Sequence, residues 1–154
     1  AIMMTSLAAL ECMKKNGIEF SAVAGHSLGE YAAMVASGVL SFKDGFKVIK
    51  ARAAAMQKAA ENQHGVMCAV MGQTPEDIER ICSSVDGYVT PVNYNSAVQT
   101  VIAGEPEAVD AAIAKFAEIG AKTIKLKVSA AFHSKLMQPA ADEFEAELRT
   151  LPTR

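Results

Sequence analysis

A serine stands at the centre of Gly25-His26-Ser27-Leu28-Gly29, a G-x-S-x-G pentapeptide. A short apolar run over residues 21–25 precedes it, and a helical pattern reaching Ala36 follows. In that strand-to-helix context a sharp turn lifts the hydroxyl into a cleft as a nucleophile. Glycines at 25 and 29 let backbone and helix approach closely. The N–H groups at the helix start favour a developing oxyanion, and the Leu28 N–H is the natural first donor. The same five residues also suit a glycine-bounded turn in which Ser27 caps the helix.

A serine nucleophile needs a base. The histidines are His26, His64 and His133. His26 adjoins Ser27, and neighbours on such an elbow point apart. His64 falls in a loop pattern. His133 follows an alternating strand and the small residues Ala130 and Ala131, where the chain can turn back to a cleft. It is the candidate base, although a surface or capping histidine fits the same spacing. Arg52 lies on the apolar stripe of a helix, a turn from Ile49 and from Met56. A buried guanidinium demands an anion. That anion is either a core carboxylate or the carboxylate of a substrate, held bidentately. Glu30 suits the first turn of its helix as a structural carboxylate. Met56, Gln57 and Phe132 either line a pocket or fill a core.

These residues need elements to hold them. The spacing predicts helices over 2–15, ended by Asn16-Gly17, over 27–36, and from a capping-box-like Ser41-Phe-Lys-Asp44 to about Ala60. On the last, Gly45, Ile49, Arg52, Met56 and Ala59 share one face. Residues 21–25 read as a buried strand. After a break at 63–65 come a strand over 66–71 and a helix from Thr74-Pro75 to about Ser84. Strands over 88–94 and 100–103 follow, with a turn around Asn95-Ser96. A helix from Pro106 to Gly120 and a half-buried strand over 122–128 complete the set. The order β-α-β-β-α-β is the ferredoxin-like arrangement. A last helix spans about 139–148. The pattern thus breaks near residues 63–65 and again near 128. A lone strand at 21–25 cannot satisfy its own backbone groups, and the chain opens inside a helical pattern at Ala1. The expectation is a fragment of a longer protein, whose other strands precede residue 1 and follow residue 154.

The 154 residues are 51% hydrophobic and 21% charged, with 15 Lys and Arg against 17 Asp and Glu. That fits one ordinary domain with a true core and excludes disorder. Near-neutral charge without a basic run gives no footprint for nucleic acid. No apolar stretch approaches the ~18 residues of a membrane span, and no secretory leader is read at the start. Cys12, Cys68 and Cys82 are odd in number and widely spaced. Reduced thiols in a cytoplasmic protein are expected, with no disulfide framework and no metal site.

Ala24-Gly-His-Ser-Leu-Gly-Glu30 resembles the GHSxGE signature of malonyl-CoA:acyl carrier protein transacylases and of the acyltransferase domains of fatty-acid and polyketide synthases. Arg52 with Met56-Gln57 resembles that family's carboxylate-binding arginine and its neighbours. Asn93-Tyr-Asn-Ser96 and Gln99-Thr-Val-Ile-Ala-Gly104 resemble its N-x-N-S…Q-x-V-I-A-G stretch. Ala131-Phe-His-Ser134 with Leu136-Met137 resembles the segment carrying its catalytic histidine. The similarity runs in order along nearly the whole chain. It implies an α/β-hydrolase-like core, incomplete in this chain and made here of 1–62 and 129–154, with an inserted ferredoxin-like subdomain over 63–128, in agreement with the pattern breaks near 63–65 and 128. It also implies ping-pong malonyl transfer from malonyl-CoA to the phosphopantetheine thiol of acyl carrier protein. The coenzyme A thioester enters as substrate, and no bound cofactor is implied. Ser27 and His133 would be catalytic and the Leu28 N–H an oxyanion donor. Arg52, His26, Met56 and Phe132 would bind substrate. Phe132 and Leu28 look like malonyl-selective members. The family's N-terminal G-Q-G-x-Q loop, source of a second oxyanion N–H, is not in this sequence, and neither is the C-terminal segment that orients the histidine. The 154 residues alone are therefore expected to be nearly inactive. A serine esterase and a non-catalytic docking domain are the competing readings. The esterase would need an acid between Ser27 and His133 in chain order, and Asp44, Asp77, Asp86 and Asp110 lie in that interval.

Overall fold

The computed structural model describes residues 1–150 of the chain. It is an α/β fold of helices and one antiparallel sheet. The first helix, α1 (Ile2–Lys15), buries Met3 and Leu7 and ends in Lys14 and Lys15, which complement its carbonyl end. The Asn16 side chain donates to the Cys12 carbonyl at 2.8 Å, and Gly17 leaves the helix at φ +69°. After α2 (Gly29–Ala36), Ser41 opens α3 (Phe42–Asn62). The Ser41 hydroxyl accepts the Asp44 N–H at 3.0 Å and donates to the Asp44 carboxylate at 2.6 Å. This is the N-cap half of a capping box, with aspartate in the glutamate position. The most buried positions of α3 are Gly45, Val48, Ala55 and Ala59. Gly45 and Ala59 belong to the predicted stripe, whereas its middle residues Ile49, Arg52 and Met56 are only half-buried.

Four strands, two helices and the end of the chain follow. They are β1 (Val66–Met71), α4 (Pro75–Ser83), β2 (Val89–Ser96), β3 (Gln99–Gly104), α5 (Pro106–Glu118), β4 (Lys122–Lys125), a 3₁₀ turn (Lys135–Met137) and α6 (Gln138–Leu148). The strands form one sheet of order β2-β3-β1-β4, antiparallel at every pairing. Strand β2 lies at an edge, where Pro91 costs no interior ladder bond, and its register shifts beside Pro91 and again after Tyr94. One sheet face, with Cys68, Val70 and Ile102, packs on Ile78, Cys82, Val109 and Phe116 from α4 and α5. The other, with Met67, Ala69, Val101 and Ala103, packs on Ala131, flanked by Val92, Leu126, Phe132 and Leu136.

The chain forms two compact units, residues 1–54 with the chain from Glu143 onward, and Ala55–Asp142. The divisions fall inside α3 and α6, away from the pattern breaks at 63–65 and 128. Among the described residues no helix is long and apolar enough to cross a membrane.

Three element expectations need correction. Residues 21–25 are neither strand nor buried. The sheet lies wholly in the other unit, so no described strand pairs their backbone. The hairpin turn sits at Ala97-Val98; Ser96 still pairs with Gln99 on β3, and Asn95 lies in the register shift between Tyr94 and Ser96. β4 stops at Lys125, well short of 128. Cys68 faces Lys125, so Gly65 would fall opposite Val128; β1 starts only at Val66, and the Gly65 N–H is directed to the Ser129 carbonyl.

Candidate active site

Ser27 sits between the extended residues and α2 with φ +51°, a left-handed backbone that non-glycine residues rarely adopt. The turn is tight because Gly25 has no side chain. A Cβ there would lie 2.2 Å from the Glu30 nitrogen and from the Gly29 carbonyl carbon. Gly29 itself has open space on that side, so only the first glycine of the pentapeptide is sterically required. The Gly29 and Glu30 N–H groups donate to the His26 and Ser27 carbonyls at 3.0 and 3.1 Å. The Leu28 N–H has no acceptor among the described residues. Leu28, not Ser27, is the N-cap of α2, and no side chain caps the helix.

The Ser27 hydroxyl accepts a hydrogen bond from Arg52 Nη2 at 3.2 Å. The guanidinium also lies over the Tyr31 ring, 5.4 Å from its centroid. Tyr31 meets Phe144 edge-on, with centroids 6.0 Å apart. Burial pushes the Tyr31 hydroxyl above its usual pKa, the Arg52 charge opposes that rise, and Glu30 adds to it. Among the described residues no carboxylate pairs with Arg52. Its partners are a hydroxyl and a π face, neither of which neutralises it.

His26 is exposed and, with Leu28, lines an apolar groove of about 660 Å³ bounded by Leu7, Leu10, Met13 and Val23. Ser27 and Arg52 are not among the groove's lining residues, so the elbow sends consecutive side chains to different surroundings. Met56 is half-buried one helical turn beyond Arg52 on α3. Gln57 is exposed and donates to Glu61 at 2.8 Å, a local helix pair.

His133 belongs to the second unit. It too has a left-handed backbone, φ +63°, and its residue is exposed. The cap of the following 3₁₀ turn is Ser134, so His133 is not a capping residue. Phe132 packs on the sheet face beside Ala131. His64 is exposed in the α3–β1 connection. Thus Ser27 and Arg52 come together within one unit, and His133 is presented by the other. Among the described residues no group of three His, Cys, Asp or Glu could hold a metal.

Tyr31, Ser134 and Tyr88 support these residues without having been singled out from the sequence. Tyr31 is one helical turn after Ser27, but its meeting with Arg52 depends on how α2 and α3 pack, which no local spacing encodes.

A family model described as the acyl transferase domain matches residues 1–154. The malonyl CoA-acyl carrier protein transacylase of Bacillus subtilis (strain 168) is 40% identical over 152 residues, 96% of this chain and 48% of that protein. The protein of the same name from Salmonella typhimurium is 41% identical, over 96% of this chain and 49% of its own length. The crystal structure of malonyl CoA-acyl carrier protein transacylase from Clostridium perfringens matches with TM-score 0.95 at 40% identity, covering 100% of this chain and 49% of that one. A malonyl-transacylase solved in complex with a type II PKS acyl-carrier protein matches with TM-score 0.94 at 39% identity, over 100% of this chain and 51% of that one. The chain spans about half the length of the curated relatives it matches.

Proposed function

Since the chain belongs to the acyl transferase domain family, we propose that it is the serine-bearing part of a malonyl-CoA:acyl carrier protein transacylase of fatty-acid synthesis. The longer protein would complete an α/β-hydrolase-like core. In that core, residues 63–128 would form the inserted ferredoxin-like subdomain, and the observed strand order β2-β3-β1-β4 supports this. A cytoplasmic location accompanies that reading.

His133 takes the Ser27 proton as Oγ attacks the thioester carbonyl of malonyl-CoA. The oxyanion of the tetrahedral intermediate faces the Leu28 N–H, which has no competing acceptor among the described residues. Collapse breaks the C–S bond, and the coenzyme A sulfur leaves with the proton from His133. The phosphopantetheine thiol of acyl carrier protein then gives its proton to His133 and attacks the malonyl-serine ester. The second tetrahedral intermediate releases Ser27, which recovers the proton. Arg52 turns from the serine hydroxyl to the free malonyl carboxylate, with His26, Met56 and Phe132 around the acyl group. A site holding a cation for that carboxylate rejects acetyl groups, which would leave the charge unpaired.

The observation that carries this reading is the guanidinium 3.2 Å from the Ser27 hydroxyl with no carboxylate of its own among the described residues. A simple esterase has no use for that charge in its acyl pocket. The test is loading of the complete enzyme, followed by mass spectrometry of the Ser27 peptide. Malonyl-CoA should leave an adduct on Ser27 in the wild type and none in Ser27→Ala. Arg52→Ala should cut malonyl loading at least tenfold and spare acetyl loading. Equal effects on both acyl groups would defeat the carboxylate assignment, and absence of any Ser27 adduct would leave a docking domain.

A further inference from the structure

We infer that Ser134 and Tyr88 are positioning residues that fix the backbone from which the His133 imidazole projects; this rests on His133 being the base. A left-handed histidine costs roughly 1–2 kcal/mol, so something must hold it there. His133 hangs between two anchors. On its N-terminal side, Ala131 is 1% exposed and seated on Met67, Ala69, Val101 and Ala103. Gly65 backs it so closely that a Cβ there would stand 2.4 Å from the Ala131 nitrogen. The Ser134 hydroxyl then closes the turn, donating to the Ala131 carbonyl at 2.6 Å, while the Ser134 N–H reaches the same oxygen at 3.3 Å. That hydroxyl also accepts the Leu136 N–H at 3.2 Å, tying the turn to the 3₁₀ segment.

On the C-terminal side the tie is Tyr88. The Lys135 N–H donates to its hydroxyl at 3.1 Å, and the Lys135 ammonium lies 3.9 Å from its ring centroid. Tyr88 is itself anchored, its N–H donating to the Glu105 carboxylate at 2.8 Å just before α5. The sheet unit thus grips the residues on both sides of His133 and leaves the imidazole exposed. Strain stored at one residue and over-determined by its neighbours is the mark of a side chain that must point one way.

The experiment uses the complete enzyme and measures the single-turnover rate of Ser27 malonylation, with KM and melting temperature alongside. Ser134→Ala should lower the rate roughly ten- to a hundredfold with KM within about twofold, because substrate binding is untouched. Ser134→Thr, which keeps the hydroxyl, should restore it. Tyr88→Phe keeps the ring and removes only the Lys135 N–H acceptor, and should give a loss of a few-fold. If Ser134→Ala does not fold, Tyr88→Phe carries the test. Adding either change to His133→Ala should cost nothing further, since both act through the imidazole. An undiminished rate in the folded variants, or a loss that adds in full to that of His133→Ala, overturns the positioning role. Full activity in His133→Ala instead overturns the assignment of the base, and the positioning role falls with it.

Discussion

The geometry at Ser27 rests on a missing methyl group. Gly25 faces the Glu30 nitrogen so closely that alanine at 25 must displace one of them. Gly25→Ala should therefore cost about 1–3 kcal/mol and abolish malonylation of Ser27, read by chemical denaturation and by mass spectrometry. Gly29→Ala meets open space and should leave stability nearly unchanged. At this scale the sequence was legible where chemistry is local. Ser27, its glycine at 25 and the Leu28 N–H follow from five consecutive residues. The proximity of Arg52 to Ser27 does not, because 25 residues separate them and the packing of α2 and α3 brings them together. Spacing alone left Arg52 with two possible anions. The absence of a carboxylate partner among the described residues weighs against the structural ion pair.

Helix starts illustrate the same division at the scale of elements. Ser41 and Thr74 announce α3 and α4 by reaching their own N3 amides. At α4, hydrogen bonds from Arg80 and then from Thr74 hold the Asp77 carboxyl below its usual pKa. A depressed carboxylate adds stability above its unfolded pKa, and that stability is lost as pH falls through the lower folded value. Asp77→Asn should therefore destabilise the protein at pH 7 and make progressively less difference as the solution is acidified below pH 4. Paired urea titrations measure this. Strand ends escaped the sequence because they depend on partners. Val128 has no partner on β1, which begins only at Val66, and residues 21–25 have strand composition without a described strand to pair with. The alternation of Ile124, Leu126 and Val128 was visible, but the register that cuts it short was not.

At the scale of the molecule, the proposed reading gives a chain half as long as its relatives one oxyanion N–H, the serine, the arginine and the histidine. One missing oxyanion donor typically costs ~10²–10³ in rate. On the reading proposed above, the 154 residues alone should transfer malonyl groups at least a hundredfold more slowly than the complete enzyme. Side-by-side assays on one acyl carrier protein check this, and equal rates would refute it. The start of the sheet was legible, since the pattern switches from helical to alternating near residue 65. The division within α3 was not, because a continuous helix shows no break in its periodicity where its neighbours change.

The margins of the sheet have a consequence of their own. On one flank Pro91 and two slips of register interrupt β2, and on the other β4 is only four residues long with lysine at both ends. Neither flank offers a flat run of unpaired amides for a foreign strand to copy. Crowded copies of this module therefore find a poor template for edge-to-edge pairing along either border of the sheet.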